Sequence, residues 1–526
     1  MKKNSYIIKG LLAVLILSVT LVSCSEDAMD KVNADKNHST SVPSKFILAD
    51  VITSSAFNNV GGDLNTYLSI YVEHAVGVDN QLYNAEHRSN EPSAASTFDN
   101  SWLNCYNALK NARIAITKCS AGGSEDGNSV TKGIAEVLAA LNSGLIADMF
   151  GDTPWSQAAL VNSTGTPLYL NPKIDTQADI YKGINQYLDD AIVDLKGTDK
   201  IGAIGSYDLL YGGNKALWLK LAYGLKARYT MHLLAKSADK TADLNKILSY
   251  LDNSFTSVDD QAAFAIYDAT NLNPNFDFQW SRDGLGVSKS MSDKLVARND
   301  PRSRRVYIDS NSWLQLTGTS DKAFNPGPNG ETEQVKNVYT YSVYMYAQTA
   351  PTLLMSYHEA LFLRAEALCR LNRSAEALPV LKAAVVAAIA NTEVSVSAAM
   401  SAPAVMAYGG LTEKTAAITT AEAGTFFDTQ IAPLFTTNPL QETMIQKYIA
   451  FWGASGESTE TYNDIRRMKA LGENFVTLAN PLNTTKFPLR LPYGTSDVTT
   501  NPAVEAAYGD GTYVYTVPVW WAGGAR

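Results

Sequence analysis

Tyr357-His358-Glu359-Ala360-Leu361-Phe362-Leu363-Arg364-Ala365-Glu366-Ala367 is the stretch whose reading decides the fold. Leu361, Phe362, Ala365, Leu368 and Cys369 recur at three and four residues, so they share one face of a helix over Ser356–Cys369. Residues 370–373 make a short turn. Ser374 is placed to cap a second helix running to about Ala390, with Glu376 in its first turn, where a carboxylate suits the positive end of the helix. The segment therefore reads as two helices joined by a tight turn, with alanine at the crowded positions.

That is the style of a tetratricopeptide hairpin, a unit that buries its apolar face only by stacking on neighbours. Earlier segments fit the same style more loosely. Trp102, Cys105, Tyr106, Leu109, Arg113 and Ile116 trace a helix face, and Val130 to Phe150 reads as an Ala- and Leu-rich helix. Ile180 to Leu195 and Lys215 to Ala235 read as two more. Further on, Gln441 to Phe451 is helical and Thr459 to Leu471 continues it. Between the helical blocks, 250–350 is dense in Asn, Asp, Gly, Pro and Tyr, with Asn-Pro at 273–274, Asp-Pro at 300–301 and Asn-Pro-Gly-Pro-Asn-Gly at 325–330. Those are turn signals, so a loop-rich lobe is inserted there. The Pro- and aromatic-rich end, 481–526, reads as an extended or wrapped segment. The expected architecture is mostly α: helical repeats over about 44–250 and 351–480, the lobe between them, and 44–526 as one unit.

The first residues carry a different message. Lys2, Lys3 and Lys9 flank an apolar run from Ile7 to Val22, whose core is shorter than the roughly 20 residues of a membrane span. The run ends in Leu21-Val22-Ser23-Cys24. A basic start, a short apolar core and small residues before a cut read as a secretory signal over 1–23. The cysteine after the cut resembles a bacterial lipoprotein box, which implies that Cys24 is lipidated and ties the chain to a membrane surface. Residues 24–43 are polar and read as a flexible tether.

Composition narrows the function classes. Apolar residues make up 46% and charged residues 18%, and the net charge is −9. With no basic stripe to neutralise phosphates, a nucleic-acid partner is disfavoured. No second apolar run of membrane-span length is expected. Removing Cys24 leaves Cys105, Cys119 and Cys369. In one continuous helix, Cys105 and Cys119 are about 21 Å apart, while a disulfide needs Cα atoms within about 7 Å. Three buried thiols are the expectation. The histidines (38, 74, 87, 232, 358) have no metal-ligand spacing. There is no nucleophile elbow, P-loop or dinucleotide fingerprint. Asp189-Asp190 and Asp259-Asp260 are sequence neighbours that read as solvated pairs rather than glycosidase carboxylates. Arg466-Arg467 reads as a structural ion pair. No catalytic residue is assigned.

Several islands, taken in order, resemble the SusD/RagB family of surface lipoproteins, closest to its SusD-like second branch. They are Gly151-Asp152-Thr153-Pro154-Trp155-Ser156-Gln157-Ala158, Asn299-Asp300-Pro301-Arg302, the Tyr357–Ala367 stretch, Gln446-Lys447-Tyr448-Ile449-Ala450, Tyr462-Asn463-Asp464-Ile465-Arg466-Arg467, and Pro488-Leu489-Arg490-Leu491-Pro492-Tyr493 with Asn501. One departure stands near the end: where relatives often show an acidic residue before the C-terminal Asn, this chain has Ser496-Asp497-Val498. The resemblance implies an α/α superhelix with four tetratricopeptide units and a ligand-bearing lobe. It also implies a non-catalytic nutrient-binding lipoprotein on the outer face of the outer membrane, partnered with a SusC-like TonB-dependent transporter. The implied ligand is an oligosaccharide, with oligopeptide as the alternative; an adhesion or assembly protein and a surface glycosidase are the remaining readings. No cofactor is expected. The family admits a structural calcium, for which no ligands are assigned here.

The candidate ligand residues are rings and guanidinium groups, which offer flat stacking area with polar orientation. Trp280 and Arg282 lie in the lobe. Tyr344 and Tyr346 sit just before the repeat hairpin and share one face if that stretch is a strand. Tyr83 and Arg88 lie in the polar loop before Trp102, a region resembling the family's ligand-facing surface. Trp102, Tyr106 and Trp218, on helix faces, read as core.

Overall fold

The computed structural model describes residues 42–95, 98–309, 313–314 and 323–526, so the expected signal, Cys24 and nearly all of the tether lie outside the described residues. Residues 44–526 form one unit. It is mostly helical, in keeping with the reading of the sequence.

The principal helices are α1 (Ser44–Ser54), α2 (Asp63–Tyr71), α3 (Asn80–Glu86), α4 (Phe98–Cys119), α5 (Ser129–Phe150), α6 (Gln177–Asp194), α7 (Lys215–His232) and α8 (Lys240–Leu251). After them come α9 (Pro274–Arg282), α10 (Lys289–Val296), α11 (Tyr357–Arg370), α12 (Ser374–Met400), α13 (Pro439–Ala450) and α14 (Ser458–Ala470). From α4 to α8 each helix packs on the next. α8 then packs on α11, across more than a hundred residues of intervening lobe, and α11 packs on α12 and α13. The stack therefore continues past the insertion, because α11 offers the next apolar face. α14 returns to pack on α2.

Local chemistry explains the boundaries. Thr176, Asn214, Asp239 and Ser356 cap α6, α7, α8 and α11 by accepting backbone N–H bonds with their side chains. Ser374 does not cap α12: Arg373 holds that position, and its guanidinium instead bonds Glu376 at 2.7 and 2.6 Å. α12 also runs ten residues past the expected end at Ala390, to Met400, since residues 391–400 contain neither Gly nor Pro to break it. α13 and α14 are separate helices rather than one continued element. Gly456, with φ +90°, lies in the turn between them.

α5 and α12 are as long and apolar as a membrane span, contrary to the sequence expectation. α5 is entirely enclosed in the stack, which explains its all-round hydrophobicity. Cys105, Cys119 and Cys369 are free and buried, as expected. Cys105 and Cys119 share α4.

The C-terminal segment wraps back onto the first half, but with short helices at Thr495–Thr500 and Pro502–Tyr508. Arg490 donates to the carbonyl of Phe150 at the C-terminus of α5, where a cation suits the helix dipole. Asp497 accepts the indole N–H of Trp102 at 2.7 Å, and Asn501 donates to the carbonyl of Pro172 at 2.8 Å. The acidic departure noted in the sequence thus holds a core tryptophan. Trp102 and Trp218 are buried and Tyr106 is partly buried against the core.

Candidate functional site

A turn that only glycine fits begins the site. α1 runs into a π-helical turn, Ser55–Val60, and Gly62 then starts α2. A Cβ on Gly62 would lie 2.4 Å from the carbonyl oxygen of Asn58. The close approach sets Phe57 and Asn58 beside Asp63. π-helical turns concentrate at functional sites.

These residues form one wall of a cleft of about 530 Å³, within the range of small-ligand sites. α2 contributes Asp63, Thr66 and Tyr67 at positions i, i+3 and i+4, and α4 contributes Asn100 and Asn104. α9 contributes Asp277, Phe278, Ser281 and Arg282, again at helical spacing. Asn273 fixes the start of α9 by accepting from the Asn275 and Phe276 N–H groups, and Asp283 ends it in the left-handed region at φ 51°. A side chamber of about 190 Å³ shares Tyr67, Gln81, Phe278, Ser281 and Arg282 with the cleft and adds Asp79 and Lys336, which pair at 3.2 Å.

The aromatic frame is rigid. Tyr67 meets Phe98 edge-on at 5.5 Å and Phe278 at 6.4 Å. Its hydroxyl donates to Gln81 at 2.7 Å. Arg282 lies over the Phe278 ring at 5.2 Å. Burial raises the Asp63 carboxyl above its usual range, opposed by a 3.2 Å bond from Asn100 and by the charge of Arg282. The side chains of Asp277, Arg282 and Asn104 make no hydrogen bond or ion pair among the described residues. Neither does the hydroxyl of Thr66, although that residue is buried. The cleft therefore presents acceptors, donors and ring faces whose hydrogen bonds the fold leaves open. That inventory suits a ligand rich in hydroxyl or amide groups.

Of the sequence candidates, Arg282 lines the cleft. Trp280 is on the same helix and half-buried, stacked on Phe276 at 5.3 Å. Tyr83 is half-buried on α3, with its ring 4.1 Å from that of His87, and lines neither chamber. Arg88 is buried: it lies over Tyr71 at 4.5 Å and donates to Asn483. Tyr344 and Tyr346 do not share a strand face. A two-residue strand, Tyr341–Ser342, gives way to a tight helical turn at Val343–Met345. Tyr344 points into the core against Trp452 at 5.0 Å and bonds Thr392, while Tyr346 is buried beside Trp280 at 6.1 Å. Asn58, Asp63, Thr66, Gln81, Asn104 and Asp277 went unnoticed in the sequence. Their signal is polar residues repeating at three and four on short helices, which also describes any solvated face.

The other groups singled out in the sequence lie elsewhere. Asp189 pairs with Lys226, and Asp260 with Lys220 at 2.7 Å. Arg467 pairs with Glu366 and Asp464, as expected of a structural pair. Arg466 has no carboxylate partner and instead donates to carbonyls of Asp148 and Leu489 while lying over Tyr462 at 4.0 Å. Among the described residues no group of three or more His, Cys, Asp or Glu is arranged to hold a metal.

Residues 36–494 match the SusD-like second family, described as starch-binding and associating with the outer membrane. The chain belongs to this family. A SusD/RagB family protein from Bacteroides thetaiotaomicron is 54% identical, with a TM-score of 0.86 over 92% of this chain and 100% of that one. A chitin-binding protein at 21% identity and a chitin-binding SusD homolog from Flavobacterium johnsoniae at 18% share the fold, with TM-scores of 0.67 and 0.64. Each aligns over 91% of this chain, and over 99% and 98% of its own length respectively. No functionally curated protein matches the chain.

Proposed function

We propose that the chain is a non-catalytic, cell-surface lipoprotein that binds a nutrient oligosaccharide and passes it to a SusC-like TonB-dependent transporter. The observation that carries the ligand class is the cleft between α2, α4 and α9, where the side chains of Asp277, Arg282, Asn104 and Thr66 make no hydrogen bond or ion pair among the described residues and Tyr67 and Phe278 supply flat rings. Hydroxyl-rich ligands both donate and accept, so they satisfy carboxylates, amides and a guanidinium together. The family's description as starch-binding and associating with the outer membrane supports the same reading. Cys24, lipidated after signal removal, is the proposed anchor, and the tether lets the binding unit face the cell exterior.

Calorimetry of the detergent-solubilised full chain against maltooligosaccharides, chitooligosaccharides and mixed peptides tests this. The expected result is binding of one glycan class with Kd between about micromolar and millimolar, equivalent to roughly −8 to −4 kcal/mol, with the glycan recovered uncleaved. Heat from peptides alone would replace the ligand class. Cleaved glycan would overturn the non-catalytic assignment. Co-purification of a TonB-dependent barrel with the tagged lipoprotein tests the partner, and its absence from membrane extracts would count against that part.

A further inference from the structure

The start of α1, where the chain coming from Cys24 enters the folded unit, carries a surface of a different kind. Val42, Phe46, Ile201 and Tyr207 are large apolar or aromatic residues left between 39% and 54% exposed. The fold gathers them at one corner. The rings of Phe46 and Tyr207 meet edge-on at 4.8 Å, and Lys45 lies over both, at 5.3 and 5.0 Å. Ile201 is tied to the same corner through the turn at 125–128. Asn128 accepts from the Lys200 and Ile201 N–H groups at 3.0 and 2.7 Å, and Glu125 accepts from the Ser44 N–H at 2.8 Å. The ammonium groups of Lys45 and Lys200 make no ion pair or hydrogen bond among the described residues.

Rings and aliphatic side chains beside free ammonium groups suit a bilayer interface. The apolar parts enter the boundary of headgroups and acyl chains, and the ammonium groups reach the phosphates. We infer that this corner rests on the lipid surface to which Cys24 is tied. The inference rests on the lipid-anchor reading above. The chain itself argues for lipid as the occupant: eighteen residues lead from Cys24 to Val42, a reach of at most about 65 Å. No described residue lies nearer the anchor along the chain, so the corner meets lipid at high effective concentration and needs little affinity of its own to dock. α1 then sets the direction of the cleft. Phe46 lies at its start, and the cleft residue Phe57 follows eleven residues later, about 16 Å along the helix axis. Docking at the start of α1 therefore holds the cleft on the side away from lipid, open to glycans from outside.

The test uses the lipidated full chain in vesicles of phosphatidylethanolamine and phosphatidylglycerol, with and without brominated acyl chains. Cys105, Cys119 and Cys369 are buried, and Cys24 is acylated in this reading, so an Ile201→Cys variant takes a thiol-reactive fluorophore at that position alone. Apolar groups docked at an interface reach about 5–10 Å toward the acyl chains, so brominated lipid is expected to quench the probe about twofold. The same probe on Val394→Cys, at an exposed position of α12, should keep its fluorescence. Phe46→Ser, also at an exposed side chain, should relieve the quenching at 201. Equal fluorescence at 201 in the two lipids, equal quenching at 394, or quenching unmoved by Phe46→Ser would overturn the inference and leave the anchor reading standing. An emission shift at 201 without quenching would show that protein, such as a second copy of the chain, covers the corner, and would overturn it too. Chain that fails to float with the vesicles would overturn the anchor reading and the inference together.

Discussion

The helical stack and the cleft both carry charged and amide groups, but they treat them in opposite ways. In the stack most large buried ions have a counter-ion, and Arg466, which has none, is satisfied by backbone carbonyls instead. Arg228 bonds Glu359 through two contacts of 2.6 Å, Arg370 bonds Glu473 at 2.7 and 2.8 Å, and Arg298 bonds Glu442 at 2.9 and 2.8 Å. Lys447 and Arg467 both reach Asp464 at 2.7 Å. Burying such ions requires this pairing, and an ion left alone would be strongly destabilising. In the cleft, Asp277 and Arg282 stay unpaired, and they can do so because solvent reaches them. Polar groups that the fold saturates hold it together, and polar groups that it leaves open are available to a ligand.

The comparison breaks most readily in the stack. Glu366→Ala removes the carboxylate shared by Arg467 and Arg370 and leaves two buried cations short of a partner. We expect a loss of about 3–5 kcal/mol in urea unfolding. A loss below about 1 kcal/mol would mean that the pairs are not what secures the stack.

The next largest effect is pH-dependent. Burial alone would lower the pKa of His232, but the carboxylates of Asp148 and Glu460, at 3.2 and 2.9 Å, hold it up at about 9. The folded-state pKa lies above the unfolded value of about 6.5. The protonated folded form is therefore favoured, and its stabilisation is complete below pH 6.5 and lost as pH rises through 9. Thermal midpoints should fall across that window, and His232→Gln should flatten the slope. An unchanged slope in the variant would reassign the effect.

In the cleft the balance reverses. Thr66→Val or Asp277→Asn should shift unfolding by no more than about 0.5 kcal/mol while weakening glycan affinity by roughly tenfold, as befits a lost hydrogen bond to a ligand. Equal losses of stability and affinity would erase the distinction between the regions. The smallest effect is expected on the exposed surface: Arg373→Ala breaks the pair with Glu376 on α12 without a measurable change in the unfolding midpoint.

The sequence made the stack legible and the cleft much less so. Helix periodicity survives in α4 and α6 because each buries one stripe, and the turn at 370–373 marked the hairpin, although the cap read there, Ser374, gives way to Arg373. What failed were features that depend on partners distant in sequence. Tyr344 looked like an open ring until Trp452 and Thr392 arrived from elsewhere in the chain to enclose it. Arg88, likewise, is hidden by Tyr71 and Asn483. Asp63, Asn104 and Asp277 looked like ordinary solvated residues, because only the convergence of α2, α4 and α9 makes them a site. Arg282 was found for its residue type and its place in the inserted lobe, and the fold put it on the cleft wall.

The most direct test of the central claim is a crystal structure of the protein soaked with the glycan that gives heat. The account predicts sugar density between α2, α4 and α9, with hydroxyls within hydrogen-bond distance of Asp277, Arg282 and Thr66. Density seated elsewhere on the molecule, with the cleft holding only solvent, would contradict it.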